Sequence, residues 1–119
     1  MRTLLITLCF LLFAIPAQAT VVVLSWDAPT LNADGSTLDD LGGYRLYRGT
    51  SPGVYTESID VGNVTTFQWD IGNVEGQEWY FNVTAYDLSG NESVYNGEVN
   101  VNFPGVPPAS PQNLSVTIQ

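Results

Sequence analysis

The sequence predicts an all-β fold, a sandwich of two antiparallel sheets. Beyond residue 19 apolar and polar residues alternate with a period of two, and no stretch sustains a 3.6-residue repeat. Glycine and polar clusters cut that alternation every eight to twelve residues, the rhythm of short strands joined by turns. The chain has 119 residues, and the hundred or so after an export-type leader suffice for one modest core.

The leader is residues 1–19. Arg2 and the amino terminus supply positive charge, and Leu4 to Ile15 form an apolar run broken only by Thr7. Pro16 ends the run, and Ala17-Gln18-Ala19 is a small-x-small cleavage site. The run is shorter than the roughly 20 residues a helix needs to cross a bilayer. Cys9 lies within it with Leu8 ahead of it, where a lipoprotein signal would have a small residue. The expected product begins at Thr20 and is secreted, extracellular or periplasmic, with no membrane insertion.

The first strand is Val21 to Trp26, with Val22, Leu24 and Trp26 facing inward, and Asp27-Ala28-Pro29 ends it. Residues 30–42 form a polar loop. The second strand, Gly43 to Arg48, puts Tyr44 and Leu46 on one face. After the turn at 49–53, a weaker strand covers Tyr55 to Asp60. Thr65 to Ile71 follows, with Phe67, Trp69 and Ile71 inward. Glu78 to Asp87 carries the strongest alternation: Trp79, Phe81, Val83 and Ala85 oppose Tyr80, Asn82, Thr84 and Tyr86. Glu98 to Phe103 then alternates Val99, Val101 and Phe103 with polar residues. Residues 104–111 hold four prolines in eight and favour an extended polyproline II linker. Residues 112–119, in which Leu114, Val116 and Ile118 alternate, read as a seventh short strand.

Composition excludes much chemistry. The chain has no histidine and a single cysteine, which lies in the leader, so the exported form has no imidazole base, thiol nucleophile, disulfide or zinc-type ligand set. No cofactor is expected. The net charge of −9 becomes −10 once Arg2 is removed, leaving Arg45 and Arg48 against twelve acids. That balance argues against nucleic acid and anionic membranes as partners. Twelve carboxylates bring some glycosidase-like pair together by chance, but so small a sandwich offers little cleft to raise one pKa; the chain is not read as an enzyme.

Three motifs, Val-Leu-Ser-Trp-Asp-Ala-Pro at 23–29, Gly-Tyr-Arg-Leu-Tyr-Arg-Gly-Thr at 43–50 and Tyr-Phe-Asn-Val-Thr-Ala-Tyr-Asp-Leu-Ser-Gly-Asn-Glu-Ser at 80–93, together resemble a fibronectin type III domain, in the version found in exported bacterial and phage proteins. The resemblance covers residues 20–103 and implies an immunoglobulin-like two-sheet sandwich. It matches Trp26 to the core tryptophan of the family's strand B, Tyr44 to the core tyrosine of strand C, and Val83 and Ala85 to inward residues of strand F. It implies binding or spacing rather than catalysis. Trp79 departs from it: the family usually has a tyrosine there, whose hydroxyl caps a backbone carbonyl at the sheet corner, and here only an indole N–H is available. Arg48-Gly49 is followed by Thr50, so there is no integrin-type Arg-Gly-Asp.

The larger departure is the first strand. A family domain opens with strand A, often Pro-x-Asn-Leu-x-Val, whereas the mature chain opens directly on strand B. The missing motif stands at the other end, as Pro111-Gln112-Asn113-Leu114-Ser115-Val116. The fold expected is therefore a fibronectin type III-like sandwich with its strand A motif displaced to the C-terminus. Val21, Val22, Val23 and Leu24 would offer an open strand edge, a template for another strand. Leu114, Val116 and Ile118 are the candidate donors, inserted beside strand B of a second copy and propagating head to tail. A loose terminus, a fold-back on its own domain and the start of a second domain remain open alternatives.

Two other surfaces are candidates. Tyr47, Tyr80 and Tyr86 form an outward aromatic face, either a platform for a glycan or surface protein or a set of cross-strand pairs stabilising the sheet. Asn32, Asp34, Asp39 and Asp40 offer oxygen ligands for calcium, but without the full EF-hand spacing, and are read as solvated turn residues. Asn63, Asn82, Asn91 and Asn113 are formal glycan acceptors, Asn82 in mid-strand.

Overall fold

The computed structural model describes residues 20–119. The expected leader over residues 1–19, with the expected cleavage site and Cys9, lies outside the described residues. Six strands form: β1 (Thr20–Ser25), β2 (Leu41–Gly49), β3 (Glu57–Gly62), β4 (Thr66–Gly72), β5 (Gln77–Asp87) and β6 (Val99–Phe103), with no helix among the described residues. They make two antiparallel sheets, β1–β4 and β3–β2–β5–β6.

The alternation places the core as the sequence predicts. Leu46, Trp69, Ile71 and Phe81 are buried, and Val22, Leu24, Trp26, Phe67, Trp79, Val83 and Phe103 pack against them. Tyr44 is buried, with the edge of its ring against Trp26 at 5.3 Å. Val74 joins this core from the β4–β5 turn, where no alternation signals it.

Arg48 continues the inward series of Tyr44 and Leu46 and is itself 9% exposed. Its guanidinium lies 4.7 Å from the Trp69 ring centre and 5.2 Å from that of Trp79. One nitrogen, Nη2, donates to both carboxylate oxygens of Glu57, at 2.9 and 2.8 Å. Nε and Nη1 are buried without partners. Trp79 makes no sheet-corner hydrogen bond: its indole N–H is buried and unpaired. The ring acts instead as one wall of the arginine's enclosure.

The chain between β5 and β6 is more ordered than a turn. Asp87 N–H donates to Asn91 O, Ser93 N–H to Ala85 O and Asn96 N–H to Val83 O, so residues 91–97 run along β5 and lengthen that side of the sheet. Residues 104–119 form no strand in the single chain. A strand needs a ladder partner, and none lies alongside among the described residues. Leu114, Val116 and Ile118 are 100%, 88% and 92% exposed, so the tail does not fold back on its own domain.

Candidate functional site: an open strand edge over an uncovered groove

The site begins with β1. Val22 and Leu24 face the core and Val21 and Val23 face outward, 53% and 63% exposed. Among the described residues β1 pairs with β4 alone, Val22 opposite Trp69 and Leu24 opposite Phe67. Trp26 N–H donates to Thr65 O at 3.0 Å. Antiparallel pairs alternate in direction along a strand. Residues 22 and 24 therefore also direct their N–H and C=O groups to β4. Those of Val21, Val23 and Ser25 point to the other side, where no strand lies among the described residues.

That open side borders unfilled space. A two-stranded sheet cannot cover a four-stranded one. Val99 and Val101 of β6 stand opposite Phe81 and Trp79 and share their inward face, yet they are 53% and 40% exposed. Between β1 and this strip lies a groove walled by Leu24, Trp26, Leu46, Phe81, Val83 and Val99, with a cavity volume of about 80 Å³. It adjoins a hollow of about 250 Å³ that shares Trp26, Val83 and Asn96. The Trp26 indole N–H in this wall is buried and unpaired. The predicted acceptor residues Val21, Val22, Val23 and Leu24 thus form one continuous edge, while the predicted donors stand in solvent.

The outward face of the larger sheet is built differently. Tyr47, Tyr80 and Tyr86 share it, but the rings in contact are Tyr47, Tyr55 and Tyr95, with centres 5.0–5.9 Å apart. The Tyr47 hydroxyl donates to Glu92 and that of Tyr55 to Glu98. Thr84 also donates to Glu92, at 2.6 Å, and Arg45 pairs with it at 2.7 Å. These donors hold the Glu92 carboxyl below the usual glutamate range. Burial, then the bond to Glu92, pushes the Tyr47 phenol up. Tyr86 stands apart, bonded to Asp60 at 2.7 Å, with the Arg45 guanidinium 5.5 Å from its ring centre. Tyr80 lies beside Glu78, and desolvation followed by that neighbour raises its phenol. The hydroxyls of Tyr47, Tyr55 and Tyr86 are thus committed to internal carboxylates. Sequence reasoning missed Tyr95, which lies outside the alternating runs, and Tyr55, which it set at the start of a weak strand that in the structure begins only at Glu57.

In the acidic loop, Asp34 accepts from both the backbone N–H and the hydroxyl of Ser36, at 2.9 and 2.6 Å. Asn32 donates to Ser36 Oγ and Thr37 O. No three acidic, histidine or cysteine side chains gather as a metal-ligand group among the described residues. Asn82 is buried in β5, where its amide donates to Tyr55 Oη at 3.1 Å. Comparison with known proteins finds no matching family profile, no matching curated protein and no matching solved structure.

Proposed function

We propose that this chain is an exported, non-catalytic binding and assembly module of the fibronectin type III kind, one that takes an extended segment by strand addition along β1. The sheet membership supports the family reading. The strands matched to C and F, β2 and β5, pair in one sheet, while β1, matched to B, lies in the other. The observation that carries the function is the unpaired β1 edge beside the half-covered inward residues Val99 and Val101. An added strand would pair the backbone groups of Val21, Val23 and Ser25 and roof this strip in one step.

The energetics suit reversible capture. Three aliphatic side chains brought out of water contribute about 1.5–3 kcal/mol each. Edge hydrogen bonds add about 1 kcal/mol each, while fixing each backbone residue costs about 1–2 kcal/mol. The sum is modest, and a linker stiffened by prolines loses less entropy on docking. The test is a titration of a free peptide with the sequence of residues 111–119 into the chain spanning 20–106. The tail supports no part of the body, since its side chains are exposed. Saturable binding absent for a scrambled peptide supports the function; no binding at millimolar peptide overturns it.

A second reading, a glycan- or protein-binding aromatic face, draws on the Tyr47–Tyr55–Tyr95 cluster, which borders a hollow of about 210 Å³. Binding to a glycan array that is lost on Tyr95→Ala would favour it.

A further inference from the structure

We infer that the occupant of the β1 edge is the C-terminal segment of a second copy, running antiparallel to β1, so that copies join head to tail in an open chain. This rests on reading that edge as a strand acceptor. The direction comes from the poles of the sandwich. Thr20 pairs with Gly72 at the end of β4, and Phe103 pairs with Gln77 at the start of β5. A short turn closed by Gln77 N–H to Val74 O joins the two places. The tail therefore leaves the body at the pole where β1 begins.

To add antiparallel to its own β1, the tail would have to reach the far pole and then reverse. Seven residues of edge span about 23 Å. The linker must also cross between sheets about 10 Å apart. Residues 104–111 reach about 25 Å as polyproline II, which leaves no slack. A neighbour placed end to end presents its far pole directly to the departing tail, and no reversal is needed.

The register of greatest overlap sets residues 112–118 against 26–20. Leu114 then lies opposite Leu24, Val116 opposite Val22 and Ile118 opposite Thr20, all on the inward face above the groove. Ser115 and Thr117 lie outward beside Val23 and Val21. Ile118 arrives at the pole from which the acceptor's own tail departs, so that tail stays free for a third copy, and the contact does not close on itself. Charge favours the same segment. The chain from Thr20 carries a net −10, whereas residues 104–119 contain no acidic side chain, so the tail's side chains add no repulsion against the acidic neighbour.

The test uses the chain from Thr20, which lacks cysteine. Light scattering after size exclusion is expected to show masses rising with concentration in whole multiples of the monomer. Leu114→Asp, in a fully exposed position that cannot disturb folding, should return the protein to monomer. Mixing Val23→Cys with Ser115→Cys copies under oxidation should give a disulfide dimer. A single chain carrying both cysteines should give a ladder. An internally cross-linked monomer from that double variant overturns the proposal in favour of self-closure. A monomeric full chain that still binds free 111–119 peptide overturns it while leaving the acceptor reading intact. Failure of the peptide to bind removes both.

Discussion

Replacing Arg48 by methionine should leave stability unchanged or raise it, although it removes an ion pair and two ring contacts. The guanidinium contributes two cation–π contacts, about 0.5–1 kcal/mol each. Its pair with Glu57 adds no more than about 1 kcal/mol, because Glu57 is 54% exposed at its side chain and screened. Against that gain of about 1–3 kcal/mol stand two buried donors, Nε and Nη1, with no partner, each costing about 1–3 kcal/mol. Methionine keeps the apolar stem between Trp69 and Trp79 and removes both orphans. Glu57→Gln does the opposite: it leaves the guanidinium enclosed without its anion and should cost about 1–2 kcal/mol, less than for a fully buried pair. Urea unfolding followed by tryptophan fluorescence, with the slope checked for constancy, measures both. A loss above about 2 kcal/mol for Arg48→Met together with a neutral Glu57→Gln would refute the reasoning.

Other perturbations are equally specific. Val23→Pro should change stability by less than about 1 kcal/mol, because its N–H faces the open side, whereas Val22→Pro should cost about 3 kcal/mol or more by breaking the β4 ladder; thermal melts compare them. Gly49→Ala places a Cβ 2.0 Å from the Val54 carbonyl oxygen and should destabilise by about 3 kcal/mol in urea titration. The folded-state pKa of Glu92 lies below its ordinary value of 4.5, so its contribution is present above that value and is lost as pH falls through the depressed one; the melting temperature should drop in that acid window, and less steeply in Glu92→Gln. Expressed in a glycosylating host, the chain should carry no glycan at Asn82 by peptide mass mapping, since that amide is buried.

The strands were legible because period-two alternation is a direct imprint of a two-layer core. Tyr44, Leu46, Trp69, Ile71 and Phe81 all fall inward as their spacing requires. The same spacing marks Arg48 as inward, and the series 44, 46, 48 was the available signal for it. What the spacing does not encode is that two distant indoles converge on that guanidinium. The order of residues 91–97 and the burial of Val74 were illegible for a related reason: both depend on pairing or packing with another segment rather than on any local pattern. At the site, the expectation of an open edge along Val21 to Leu24 agrees with β1 pairing only with β4 among the described residues. The exposure of Val99 and Val101 was not legible, because it depends on how far one sheet overlaps the other.

The position of Trp26 gives the groove beside β1 an optical reporter. Trp69 and Trp79 lie against a guanidinium inside the body, whereas Trp26 sits half-buried in the groove wall with its indole nitrogen unbonded. A segment entering the groove would change the surroundings of that indole directly, because Trp26 lines the groove itself. Emission from one native chromophore would then follow occupancy of the edge in real time, without a dye or tag.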